Sequence, residues 1–152
     1  MPSPSTTEAT EVAAFAAALD DFMRAARRAR GRLAHEPDLS LSQYHLLEPL
    51  LAVEGPGLGV GELACAAGVS APTATRMLGG LERDGVVARR ACPRDRRVVR
   101  VALTPAGAQQ VARKRERIEA RRNELYRSLG PDEREQAARV LARLAAAIED
   151  LR

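Results

Sequence analysis

Apolar residues recur at helical spacing through Val12, Phe15, Ala16, Leu19, Phe22, Met23 and Ala26, while Asp20, Arg24, Arg27 and Arg28 fall mostly elsewhere. This pattern predicts a long amphipathic helix over 11–34, ended by Pro37. The Pro-, Ser- and Thr-rich residues 1–10 are expected to be a disordered tail. Ser40-Leu41-Ser42-Gln43 has the form of a capping box: a hydroxyl at the N-cap, and a Gln three positions on that returns the hydrogen bond. A helix should follow through Leu46, Leu47, Leu50 and Leu51, with Pro49 kinking or shortening it. The cluster Glu54-Gly55-Pro56-Gly57-Leu58-Gly59 is a turn.

The next stretch predicts two short helices. One runs from Gly61 to Ala67 and is stopped by Gly68, a residue that tolerates the left-handed conformation. Val69 is expected to be buried in the turn, and Ser70 to cap a second helix with Pro72 in its first turn. Ala74, Met77, Leu78 and Leu81 form the buried stripe of that helix, and Gly85 ends it. Two helices joined by a short glycine-containing turn form a helix-turn-helix. After Gly85 the period changes to two. Val86–Ala91 and Val98–Leu103 read as β-branched, arginine-studded strands around the polar loop Cys92-Pro93-Arg94-Asp95-Arg96-Arg97, so a hairpin, or wing, follows. Thr104 and Pro105 restart a helix that carries Val111, Ile118 and Leu125 to about Ser128. After the break at Gly130-Pro131-Asp132, a last helix over 132–151 carries Val140, Leu141, Leu144, Ile148 and Leu151. The first and last helices have apolar faces with no obvious cover in so small a lobe. Such faces are expected to pack on each other or on a second copy of the chain.

Composition narrows the picture. At 152 residues and 45% hydrophobic, the chain has the size of one domain with helical extensions and is not disordered as a whole. The longest apolar run, Val12–Leu19, falls far short of the roughly 20 residues of a membrane span. The N-terminus lacks the basic segment of a secretory signal. Only two cysteines occur, so a disulfide framework is excluded and a cytoplasmic location is the expectation. The net charge of +4 is unevenly spread: −3 over 1–59, +4 over 60–104, +4 over 105–127 and −1 over 128–152. A basic centre between neutral-to-acidic ends suits a polyanion-binding module on a separate scaffold. Lys114 is the only lysine, so nearly all the positive charge is arginine. That usage suits phosphate and guanine edges, although a GC-rich genome produces the same bias. With no Trp, two Phe and two Tyr, the core must rely on Leu, Val and Ala.

Six segments stand in a fixed order: Leu41-Ser42-Gln43-Tyr44; Gly61-Glu62-Leu63-Ala64; Gly68-Val69-Ser70-Ala71-Pro72-Thr73-Ala74-Thr75-Arg76; Leu81-Glu82-Arg83-Asp84-Gly85-Val86-Val87; Asp95-Arg96-Arg97; and Leu103-Thr104-Pro105-Ala106-Gly107. In this order the chain, over about 11–150, resembles the MarR family of bacterial transcriptional regulators. The resemblance implies a mainly α fold with a small β-wing: a winged helix-turn-helix lobe over 41–104, a dimerisation helix within 11–40 and further dimerisation helices over 105–152. It implies a homodimer that binds pseudo-palindromic double-stranded DNA, usually as a repressor. Ser70, Pro72, Thr73, Thr75 and Arg76 would meet the major groove, with Thr73 and Arg76 one turn apart and the helix N-terminus favouring a phosphate. The simpler reading is that Thr73 and Thr75 only cap and decorate a helix start. In the wing, Arg97 would reach the minor groove, Asp95 would orient a neighbouring arginine, and Arg94 and Arg96 would meet phosphates; the simpler reading is a solvated loop. One or two of Arg89, Arg90 and Arg100 are expected to touch backbone phosphate. The resemblance further implies a small aromatic or phenolic effector, with Phe22, Met23, Tyr44 and His45 on segments that could line its pocket, although Tyr44 suits the core better. Three features depart from the family pattern: Gly59 in place of a hydroxyl N-cap, Gly79-Gly80 within the recognition helix, and Pro49.

Other chemistry is sparse. Cys65 and Cys92 could make a redox switch, with Arg90 and Arg94 favouring a Cys92 thiolate, but two incidental thiols are the simpler reading. His35 and His45 are too isolated for a zinc site. No catalytic constellation can be assembled and no cofactor is implied, so an enzyme is not expected. The run Arg113, Lys114, Arg115, Arg117, Arg121 and Arg122 alternates with Glu116, Glu119 and Glu124, which favours a solvated, ion-paired helix over an extended DNA face. A winged helix used only for protein contact remains a third reading.

Overall fold

The computed structural model describes residues 6–33, 38–53, 55–91 and 99–150. It is mainly helical with one two-stranded antiparallel sheet. The elements are α1 (Thr6–Leu33), α2 (Leu41–Leu47), a 3₁₀ turn (Glu48–Ala52), α3 (Val60–Ala67), α4 (Ala71–Arg83), β1 (Val87–Ala91), β2 (Val99–Leu103), α5 (Pro105–Ser128) and α6 (Pro131–Asp150). The chain divides into two compact units, Met1–Val111 and Ala112–Arg152.

In the first unit, local chemistry explains most boundaries. Ser40 and Gln43 form the expected capping box: the Gln43 N–H donates to the Ser40 hydroxyl at 3.2 Å, and the Ser40 N–H donates to Gln43 Oε1 at 2.8 Å. Pro49 shortens the helix as expected. It has no N–H for an α-helical bond, so α2 ends at Leu47 and the chain tightens into the 3₁₀ turn. Gly68 stops α3 in the left-handed conformation at φ +63°. One boundary differs from the sequence reading by several residues. Helix α1 begins at Thr6, so residues 6–10, expected in a disordered tail, belong to the helix; Glu8 in its first turn suits the positive end of the helix dipole. The glycine pair does not interrupt α4, which runs unbroken to Arg83 because the packing of its apolar stripe outweighs the weak helix propensity of Gly79 and Gly80.

The core of this unit is built from Leu39, Tyr44, Leu46, Leu47, Leu50, Leu63, Ala74, Leu78, Leu81, Val86, Val87, Val101 and Val111. Aliphatic side chains supply nearly all of it, as the shortage of aromatics requires. Val69, expected to be buried, is only half-buried at the turn.

Strands β1 and β2 pair in the register Val87 with Leu103, Arg89 with Val101 and Ala91 with Val99. Leu58 adds a one-residue third strand: its N–H donates to the Val101 carbonyl at 3.0 Å, and its carbonyl accepts from the Val101 N–H at 2.7 Å. The approach is close enough to demand glycine beforehand. A Cβ on Gly57, whose φ is +91°, would lie 1.9 Å from the Val101 oxygen. Thr104 closes the hairpin onto the helices, with its hydroxyl donating to the Gly85 carbonyl at 2.7 Å and capping α5 by accepting the Gly107 N–H at 2.9 Å.

The second unit holds the remainder of α5 and α6, joined through Leu129 and Gly130. Glu133 caps α6 by accepting the Gly130 N–H at 2.6 Å. The Arg134 guanidinium lies 4.3 Å over the Tyr126 ring, and its Nε donates to the Tyr126 carbonyl at 3.0 Å. No helix among the described residues is long and apolar enough to cross a membrane.

Candidate nucleic-acid interface

Helix α4 packs one stripe, Ala74, Leu78 and Leu81, into the core, with Met77 half-buried at its edge. The expected candidates lie at the start of the helix and away from that stripe. Ser70, Pro72, Thr75 and Arg76 are exposed, and Thr73 is half-buried. Ser70 is the N-cap. Its hydroxyl accepts from the Thr73 N–H at 3.4 Å and donates to Thr73 Oγ1 at 2.9 Å. The Thr75 hydroxyl turns back onto its own helix and donates to the Ala71 carbonyl at 2.9 Å. Capping and decoration are therefore real for Ser70 and both threonines, and each hydroxyl oxygen keeps a lone pair for a further donor. Arg76 is exposed and makes no ion pair among the described residues.

The wing-tip candidates Arg94, Asp95, Arg96 and Arg97, together with Cys92, lie outside the described residues. The strands that carry them do not. Alternation places Arg90 and Arg100 directly opposite each other on one face and Arg89 on the other. The three strand arginines, grouped together from sequence, have different surroundings. Arg89 Nε meets Glu82, on the last turn of α4, at 3.3 Å. Arg100 Nη1 meets Glu62, on the first turn of α3, at 2.7 Å. Arg90 has no ion pair among the described residues, which leaves it the freest of the three to meet a phosphate. Sequence reasoning missed both glutamates. Glu62 and Arg100 stand 38 positions apart, and no short-range spacing links them.

Gly59 lacks the hydroxyl expected of an N-cap at α3. Glu62 compensates: its Oε2 accepts the Gly59 N–H at 2.7 Å, the reciprocal half of a capping box. Two members of the basic run on α5 are ion-paired in the way its alternation suggests, Arg115 on Glu119 at 2.8 Å and Arg121 on Glu124 at 3.3 Å. Lys114 is the exception. It is 1% exposed, and it is engaged rather than solvated.

The four residues expected to line an effector pocket lie on two helices, α1 and α2. Phe22 and Met23 are exposed on α1, at 60% and 44%. Tyr44 is in the core, where its hydroxyl donates to Glu48 Oε1 at 2.7 Å, and His45 lies edge-on to it with ring centroids 5.4 Å apart. A cavity of about 250 Å³ lies elsewhere in the first unit, walled by Leu50, Leu51, Val53, Leu103 and Ala108 beside Arg90. Cys65 is a free, exposed thiol on α3. No group of three or more metal-ligating side chains occurs among the described residues, and His35 lies outside them.

Comparison with known proteins agrees with this arrangement. Residues 39–99 match the model of the MarR family. The transcriptional repressor CouR, in a structure bound to a 23-mer DNA duplex, is 29% identical, with a TM-score of 0.68 over 95% of this chain and 99% of that one. Streptococcus pneumoniae FabT in complex with DNA is 21% identical, with a TM-score of 0.72 over 94% of this chain and 99% of that one. Staphylococcus aureus MepR in complex with DNA is 23% identical, with a TM-score of 0.70 over 86% and 96% of the two chains.

Proposed function

We propose that the chain, whose residues 39–99 match the model of the MarR family, is a transcription regulator, not an enzyme, that binds double-stranded DNA through α4 and the wing. The observation that carries this reading is the combination of a capped, outward-facing α4 start bearing Arg76 with an arginine-bearing hairpin tied to the same lobe. Arg76 can fork onto a guanine edge in the major groove, while Ser70, Thr73 and Thr75 supply acceptors and donors to phosphates and base edges. Arg97 would enter the adjacent minor groove, with Asp95 orienting a neighbouring arginine and Arg94 and Arg96 on phosphates.

The active species in this reading is a homodimer. Support comes from apolar side chains that one copy leaves in solvent: Phe15 at 53% and Phe22 at 60% on α1, Leu125 at 65% on α5, and Leu141 at 56% and Ile148 at 65% on α6. Such surface is what a second copy would cover. Two recognition helices then meet two half-sites about one helical turn apart, so the operator is a pseudo-palindrome. The CouR comparison supports a repressor. A small aromatic or phenolic effector would release DNA by favouring a spacing of the two lobes that does not fit the groove.

Titration of the chain against labelled random-sequence duplex tests the DNA claim. Association constants should fall by orders of magnitude between about 50 and 200 mM salt, because each neutralised phosphate releases a counterion. Absence of binding at low salt would leave only a protein-contact role for the winged lobe.

A further inference from the structure

We propose that Glu62 and Arg100 form a strut that sets the angle of the wing against the helix-turn-helix, which makes both of them positioning residues for DNA recognition. The proposal rests on the DNA-binding reading above and adds residues that need not touch DNA.

The geometry has two parts. The first is a backbone pivot, the Leu58–Val101 bridge, which fixes one point of β2 against the segment leading into α3. Thr104 holds the base of the same strand through its bonds to Gly85 and Val86, and the Val99 end of β2 can still tilt about the pivot. The second part is the neighbouring side chain. Arg100 Nη1 donates to Glu62 Oε2 at 2.7 Å, and the same oxygen accepts the Gly59 N–H at 2.7 Å. Glu62 is thereby fixed to the start of α3, and it fixes Arg100 in turn. The other Arg100 donors do not compete for that role. Its Nε is buried with no acceptor among the described residues, and the residue directly across the ladder is Arg90, another cation. On the second strand, Arg89 meets Glu82 of α4 at 3.3 Å. Each strand of the wing is thus tied by an arginine to a glutamate of the helix-turn-helix.

Leverage makes the strut matter. Val99, two positions from the pivot, lies about 7 Å away at about 3.3 Å per residue. A tilt of about 10° moves it by about 1 Å, enough to stretch a hydrogen bond beyond its working range. The pair itself is partly exposed, with Arg100 at 30% and Glu62 at 56%, so it adds little to global stability. Its effect should therefore appear in recognition and leave folding largely unchanged.

A double-mutant cycle tests the strut. The probes are a duplex enriched from a random pool by the wild-type chain and an unrelated duplex of equal length. Glu62→Gln keeps an amide oxygen for the Gly59 N–H and removes the charge that holds Arg100. Glu62→Gln and Arg100→Gln should each weaken binding to the enriched duplex about fivefold to tenfold, and the double variant should be no weaker than either single one. Arg100→Lys should retain most of the affinity, and the melting temperatures should stay close to that of the wild type. On the unrelated duplex Glu62→Gln should bind as well as wild type or better, since a negative charge is gone. Tighter binding of Glu62→Gln to the enriched duplex, beside weaker binding of Arg100→Gln, would make Arg100 a direct phosphate contact and overturn the strut. Additive losses would overturn it too. A wild-type chain that enriches no duplex overturns the DNA reading itself, and the strut's role in recognition with it.

Discussion

Arg76 is exposed on the outward face of α4, one turn after Thr73, with no ion pair among the described residues. Changing it to alanine should weaken binding to a preferred duplex by about 1–3 kcal/mol and relax the preference at one base pair, as read by competition with single-base variants. Gly79 makes the opposite prediction. A Cβ there would meet nothing within 4 Å, and α4 is helical through it, so Gly79→Ala should stabilise the chain by up to about 1 kcal/mol in denaturant unfolding. Gly107 has no such room. A Cβ would lie 1.9 Å from the Val86 carbonyl oxygen, so Gly107→Ala should destabilise the chain in the same assay and loosen the junction of wing and α5. These contrasts mark what sequence could and could not supply. The capping box at Ser40 and the cap at Ser70 are written in residues three apart, and both were legible. The partners of Arg89 and Arg100 depend on how two helices and a hairpin pack, and no local spacing encodes that.

At the scale of elements, periodicity gave the order of helices and strands because each element in the winged lobe buries one face. The stripe Ala74, Leu78 and Leu81 is buried as its spacing predicts. Boundaries were less legible where propensity and packing compete. Gly79 and Gly80 do not break α4, and Thr6 starts α1 ahead of its first apolar residue. The burial of Lys114 was not legible, since a lone lysine in a charged run of α5 carries no local sign that it turns inward. The cap of α4 can be tested directly. Ser70→Ala removes the acceptor for the Thr73 N–H and should cost about 1 kcal/mol of stability, with a loss of DNA affinity that Ser70→Thr largely avoids. For the wing, Arg97→Ala should lower affinity while leaving the major-groove base preferences almost unchanged, the pattern expected of a side chain that senses groove width.

At the scale of the whole molecule, the unresolved demand is the exposed apolar surface of α1, α5 and α6. A dimer that covers it explains why helices at both ends of the chain carry apolar faces that the winged lobe does not use. Phe15→Asp should then shift the chain toward monomer in analytical ultracentrifugation and abolish tight binding, because one recognition helix reaches only one half-site. The net charge of +4 has a similar whole-chain meaning: it is carried by the middle segments, and in the second unit much of the arginine is paired internally. The central claim, a dimeric reader of a two-fold DNA sequence, is tested most directly by selecting duplexes from a random pool with the full-length chain and sequencing the enriched pool. The account predicts an inverted repeat with half-site centres about one helical turn apart, enriched by the wild-type chain, and relaxed at one base pair of each half-site with Arg76→Ala. A pool that stays random, or one in which a single unrepeated site is enriched, would contradict it.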